Sequence, residues 1–266
     1  MTRHNQIPAR GGGGAPVSAL IPLWDLGNHA DDGLQTEFVV SSDRSECRAG
    51  AGVAGGSQVL LRYGARPSAE LLLHGGWAPA PGRNPHDRLP LALGLARADP
   101  LRADRQALLE ALGVHLPPAP PQQGQAAPAP APPPPLPPGA PPPTEFCLRA
   151  AAPHGGDPLD PPLRAFLRVF AMKREHLQRW LASDRVQDLL HPDCALDTEV
   201  EARAWAFLLA RTQLLLSSYP STLQEDLALL EGNTLTACSR LAVTLRASEK
   251  ILLEAARDYA APRVHP

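Results

Sequence analysis

Residues 22–29 read Pro22-Leu-Trp-Asp-Leu-Gly-Asn-His29, and Arg62-Tyr63-Gly64-Ala65-Arg66 stands further along the chain. Taken alone, the first is an apolar run closing on a polar turn in which Asn28 and His29 satisfy local backbone groups. The second is a strand-end tyrosine, its ring packed and its hydroxyl in water. Around them, Val17-Ser-Ala-Leu-Ile-Pro22, Glu37-Phe-Val-Val40 and Gln58-Val-Leu-Leu-Arg-Tyr63 read as strands. Glycine clusters at 11–14 and 50–56 punctuate them as turns. Residues 1–77 therefore form a small, irregular β region, too poor in aromatics to bury much core alone.

The second half has the period of helices. A helical pattern starts near Leu101 and ends at Gly113, a C′ glycine. Asp160-Pro-Pro supplies a cap followed by Pro in the first turn, and Leu163, Phe166, Leu167 and Phe170 then share one apolar face. Thr198-Glu-Val-Glu201 and Thr222-Leu-Gln-Glu225 match the capping box. Helices are predicted over 161–182, 198–217, 222–231 and 235–260. Between the halves, residues 117–143 hold 15 of the 32 prolines and no charge. Polyproline II is expected there, as an exposed insert or as a ligand for SH3 or WW-type domains through the PxxP run at Pro134-Pro-Leu-Pro-Pro138.

A net charge of −2 leaves no basic excess to release counterions, which argues against a general nucleic-acid binder. Cys47, Cys147, Cys194 and Cys238 lie far apart without CxxC or Cys/His zinc spacing, and His29, His74 and His86 have no ligand spacing, so no metal is expected. There is no apolar run of membrane-spanning length and no h-region at the start, so no membrane partner is expected. Unpaired, scattered thiols suit a reducing compartment, and a cytoplasmic or also nuclear location is expected.

The two opening segments together resemble the C-terminal half of a SET methyltransferase domain, in which an Asn-His segment and a Tyr-Gly strand end enclose S-adenosyl-L-methionine (AdoMet). The helical half resembles the Rubisco-methyltransferase-type substrate-binding domain at Asn84-Pro-His-Asp-Arg88, Leu93-Gly-Leu95, Leu163–Phe170, Trp205-Ala-Phe-Leu208 and Leu245-Arg-Ala-Ser-Glu-Lys250. The implied fold class is α+β: a partial, β-rich SET half over 1–80, then an all-α substrate-binding domain starting over 84–116 and continuing over 144–262, interrupted by the insert.

By the same resemblance, Asp25, Leu26, Gly27, Asn28 and His29 would contact AdoMet, as would Arg3. Gly75, Gly76 and Trp77 align with a further cofactor turn, where the family has Ser and Phe at the outer positions. Tyr63 resembles the active-site tyrosine, whose hydroxyl favours the polarised methyl through weak C–H···O contacts. Thr2-Arg-His-Asn-Gln-Ile-Pro8 resembles the histidine-specific, actin-directed branch, which has Gln where His4 stands. Asn5 would accept from one imidazole N–H of the acceptor and so leave the other nitrogen as nucleophile. Trp24 would line the acceptor pocket, and Arg66 would hold substrate backbone.

The implied activity is AdoMet-dependent N-methylation of a protein histidine, with actin as partner. A complete SET domain of this class begins before the residue matched by Met1, so a truncated chain is expected. The alternatives are a lysine methyltransferase of the same class and a non-catalytic protein-binding module.

Overall fold

A computed structural model of the chain describes residues 5–7, 15, 17–22, 24–39, 44–49, 52–116, 142–150, 156–194 and 196–264. Arg3 and residues 117–141 of the proline-rich insert lie outside them, and with the insert its polyproline and SH3/WW readings. The fold is α+β, divided into two compact units, Met1–Pro79 and Ala80–Pro266.

In the first unit β1 (Asn5–Ile7) pairs antiparallel with β2 (Val17–Ala19). The strand expected to reach Pro22 ends at Ala19, and a single 3-10 turn, Trp24–Leu26, follows. Next comes β3 (Asn28–Val39): the Asn28-His29 dipeptide, which taken alone reads as a polar turn, is extended backbone. Two partners make it so. Residues 35–39 pair antiparallel with β4 (Arg44–Arg48), while Asn28 and His29 pair in parallel with Leu60 and Leu61 of β5 (Leu60–Leu61). Between His29 and Leu34 the register slips, both residues facing Leu61. Strand β4 was hidden in sequence because its charged residues carry no apolar alternation; its pairing comes from β3. Also unforeseen is α1 (Ser68–Gly75), which starts after Pro67, buries Ser68 and Leu71, and ends at Gly76, whose φ of 73° forms a left-handed cap.

The second unit opens with β6 (Arg88–Leu91) paired antiparallel with β7 (Phe146–Arg149), a two-stranded addition to the helical unit that brackets the insert. α2 (Arg102–Ala111) lies between them in sequence and stops before Gly113, whose φ is 73°. Strand β7 leads to Asp160, which caps α3 (Pro161–Ala171) by accepting from the Leu163 amide at 2.8 Å. Its other oxygen accepts from the Cys147 amide at 3.0 Å, and its own amide donates to the Cys147 carbonyl at 3.2 Å. One buried carboxyl thus joins strand to helix. The neighbouring Cys147 thiol is pushed up to about 12 by burial, then by the charges of Asp160 and Glu145, and is inert as a nucleophile.

The helix expected over 161–182 is two helices. Met172 and Lys173 are extended, and α4 (Arg174–Leu181) starts afresh, with the Lys173 amide donating to His176 Nδ1 at 3.4 Å. The break has a physical partner: the Met172 carbonyl accepts from Arg105 Nη2 at 3.2 Å, so the group released from the helix is satisfied. Then come α5 (Thr198–Ser218), α6 (Leu223–Glu231) and α7 (Ala237–Ala260). The Thr222–Glu225 capping box forms, with Glu225 accepting from the Thr222 amide at 2.7 Å. That at Thr198 does not: Asp197 precedes it and accepts from the Glu199 amide at 2.9 Å. Its carboxylate accepts more strongly than a threonine hydroxyl and is the preferred cap.

Leu163, Phe166 and Leu167 of α3 are buried against Phe146, Leu208 and Leu253, with the Phe146 and Phe166 rings 4.9 Å apart. A second buried polar knot pins the start of α6 to α7. Asp226 accepts from Lys250 Nζ at 2.6 Å, Ser221 Oγ at 2.8 Å and Arg246 Nε at 2.9 Å. Burial pulls this carboxyl up, but the hydrogen bonds from Arg246, Lys250 and Ser221 outweigh it and hold it at about 2.

Two outcomes follow. Asp226→Asn leaves Lys250 buried without a counter-charge, and a chemical-denaturation curve should lose about 3–5 kcal/mol. Because the folded-state value of Asp226 lies below the usual 3.8, its stabilisation is complete above about pH 4 and fades as pH falls toward 2; the variant should lack that part of the acid transition. Separately, Asp160→Ala removes a cap and orphans the Cys147 amide, a loss of about 2–4 kcal/mol in the same assay.

Candidate functional site

The 3-10 turn at Trp24–Leu26 is closed by the Gly27 amide donating to the Trp24 carbonyl at 3.0 Å. The chain then enters β3, whose parallel pairing with Leu60 and Leu61 sets Tyr63 beside this turn. The Tyr63 hydroxyl donates to the Gly27 carbonyl at 2.5 Å, and the Tyr63 amide donates to His29 Nδ1 at 3.1 Å. An amide N–H can only donate, so Nδ1 holds the lone pair and the imidazole proton sits on Nε2. The Leu61 carbonyl, 3.2 Å from the same nitrogen, is then a close polar contact.

The rings are layered. His29 stacks on Tyr63 at 5.0 Å and 30°, and Trp77 meets His29 at 5.6 Å and 37°. Arg66 Nε donates to the Tyr63 carbonyl at 2.9 Å, with its guanidinium 4.0 Å from Glu70. Glycine is required where the backbone closes in. A Cβ on Gly27 would lie 2.6 Å from the Leu61 side chain, and one on Gly33 would lie 2.7 Å from the Leu61 carbonyl carbon.

Of the residues singled out from sequence, Gly27, His29, Tyr63 and Trp77 meet in one cluster, and Arg66 buttresses it through Tyr63. Trp24 is half-buried and Asp25 lies in the turn's backbone, whereas Leu26 and Asn28 are exposed. Gly75 and Gly76 close α1 just before Trp77. Asn5 opens β1 opposite Ala19. Leu61 and Gly33 were missed as site residues. Leu61 was only one apolar residue in a strand, and Gly33, after Asp31-Asp32, reads as a turn glycine rather than one inside a strand. Among the described residues, no three His, Cys, Asp or Glu side chains gather as a metal site.

The fold is shared with known structures. Rubisco LSMT bound to AdoMet superposes with a TM-score of 0.62 at 20% identity, over 93% of this chain and 50% of that one. The SET domain of LSMT bound to MeLysine and AdoHcy gives 0.63 at 19% identity, over 94% and 51%. Both establish the fold, an α+β architecture of the Rubisco LSMT type. The chain belongs to the Rubisco LSMT substrate-binding family, whose model matches residues 96–253. Among its relatives, the actin-histidine N-methyltransferase of Gallus gallus is 33% identical over 265 residues, 98% of this chain and 39% of that protein. The Canis lupus familiaris protein of the same name is 33% identical over 270 residues, 100% of this chain and 40% of its own. The chain thus spans 39–40% of the length of these relatives.

Gly33→Ala should disrupt the site without touching its aromatic residues. A Cβ forced against the Leu61 backbone displaces β5 and therefore Tyr63, so hydrogen exchange at the Tyr63 amide should accelerate by about tenfold or more, whereas Gly94→Ala, in open space, leaves it unchanged. Equal protection in both variants would contradict the packing described.

Proposed function

We propose that this chain serves AdoMet-dependent methylation of a protein histidine, with actin the first substrate to test. The observation that carries the reading is the Tyr63 hydroxyl held 2.5 Å from the Gly27 carbonyl, between the Trp24–Leu26 turn and the start of β3. The resemblance to actin-histidine N-methyltransferases across nearly the whole chain supports the choice of acceptor.

The residues present fit AdoMet. The exposed Leu26 and Asn28 leave this segment open to solvent, where polar parts of the cofactor can approach. The stacked faces of Tyr63, His29 and Trp77 suit an adenine ring or a sulfonium. Asp25 to His29, with Gly75, Gly76, Trp77 and Arg3, are the proposed cofactor contacts. When bound, AdoMet supplies an electrophilic methyl on a good leaving group.

The chain's own task is to aim a lone pair and exclude water. Tyr63, fixed by ring stacking and by the hydrogen bonds of its hydroxyl and amide, is proposed to present its hydroxyl oxygen to the transfer site, with the hydroxyl proton donated to Gly27. Asn5 is proposed to accept from one imidazole N–H of the acceptor, leaving the second nitrogen to attack, and the proton freed from the methylated imidazolium goes to solvent. Trp24 lines the acceptor side. Arg66, oriented by the Tyr63 carbonyl, holds substrate backbone. The helical unit, member of a substrate-binding family, is proposed to dock the protein substrate.

Radiolabelled methyl transfer from AdoMet to unmethylated actin tests this. Label is expected on actin, absent when the target histidine is replaced, and reduced about tenfold or more, at least about 1.4 kcal/mol in barrier, by Tyr63→Phe. Label that persists on histidine-replaced actin and maps to lysine would move the chain to the lysine-directed reading. No label from folded protein would favour the binding-module reading.

A further inference from the structure

The helical unit holds a cavity of about 550 Å³ that the proposed methyl-transfer chemistry does not use. Its lining includes Arg164 and Arg168 from α3, Trp205 from α5, Tyr259 from the end of α7, and Arg263 just beyond. Three guanidiniums around one cavity are costly unless each has a counter-charge. Arg164 has Asp157. Arg168 is fully engaged, donating to Glu201 at 2.9 Å and to the carbonyls of His191 at 2.7 Å and Leu189 at 3.0 Å. Arg263 differs. Among the described residues no carboxylate pairs with it.

Its position is nevertheless fixed. The guanidinium carbon lies 3.7 Å from the Tyr259 ring centroid and 5.9 Å from that of Trp205, and Nη1 donates to the Tyr259 carbonyl at 2.6 Å. Nε and Nη2 make no hydrogen bond to a described residue. A preorganised guanidinium with an unspent charge, on an aromatic wall and partly withdrawn from water, is a carboxylate receptor. The surroundings agree: burial, then the charge of Arg168, holds Arg164 below the usual guanidinium range. Asp193, exposed on the lining, limits the site to one negative charge and disfavours a phosphate dianion.

We propose that this cavity docks a single peptide carboxylate of the protein partner, an acidic side chain or a chain terminus, with Arg263 as the ion-pairing arm and Trp205 and Tyr259 as walls. The proposal rests on the reading of the helical unit as the part that holds a protein substrate.

The test is an NMR titration of the ¹⁵N-labelled full chain, following the Arg263 Nε–H and Trp205 indole N–H resonances. The probes are a capped peptide with one Glu beside one Phe, its Gln counterpart, and an uncharged peptide with a free carboxyl terminus. Saturable shifts of both resonances with the Glu peptide or the free-terminus peptide are expected, and which of the two binds identifies the carboxylate. The Gln peptide should bind about tenfold or more weakly, Arg263→Gln should lose about as much, and Arg263→Lys, which keeps charge and fold but not the fork, should fall between. Equal binding of the Glu and Gln peptides, no shift with any peptide, unchanged affinity in Arg263→Gln, or tighter binding of inorganic phosphate would overturn the proposal. AdoMet binding in the same sample, followed at the Trp77 indole, reports separately on the methyl-transfer reading, so either can fail without the other.

Discussion

One carboxyl holds the helical unit in register. Asp160 takes the amide of Cys147 on one oxygen and that of Leu163 on the other, so strand β7 and helix α3 are joined through one side chain. Everything larger in the unit is referred to α3. Its Leu163, Phe166 and Leu167 enter the core, and its Arg164 and Arg168, buried on the remaining side, form the floor of the cavity that ends at Arg263. A helix buried nearly all round leaves little freedom to the helices packed on it. The break at Met172 is tolerated because Arg105 takes up the carbonyl the break releases.

The first unit depends on a smaller clasp with the same logic. A parallel pairing of only Leu60 and Leu61 with the start of β3 delivers Tyr63 to the Trp24–Leu26 turn, where its hydroxyl and amide each find a partner. The ring stack from Tyr63 through His29 to Trp77 then turns three residues distant in sequence into one surface. That such a surface serves a methyl donor is the reading proposed here. Its physical basis is the juxtaposition of an oriented phenol oxygen, aromatic faces and an open backbone turn.

Much of this was legible in the sequence, for identifiable reasons. The helices announced themselves because amphipathic spacing and caps are local signals: Asp160-Pro-Pro, the Thr222–Glu225 box and Gly113 all act where the pattern put them. What stayed hidden was set by partners remote in sequence. Asn28-His29 looked like a turn because nothing nearby says that Leu60 and Leu61 will pair with it. β4 has no apolar alternation, and β6 and β7 are separated by the insert, so neither pairing leaves a local trace. At the site, the polar and aromatic residues were found and the packing residues Leu61 and Gly33 were not, since their role is only to let backbones approach. The charge of Arg263, unpaired among the described residues, is likewise invisible in sequence, where it is one arginine among many.

The central claim, that the Trp24–His29 segment with Tyr63 and Trp77 binds AdoMet, is tested most directly by ultraviolet cross-linking of methyl-labelled AdoMet to the purified chain, followed by peptide mapping. Label is expected on peptides carrying residues 24–29, Tyr63 or Trp77, competed away by unlabelled S-adenosylhomocysteine. Label confined to the helical unit, or uncompeted label spread over the whole chain, would contradict it.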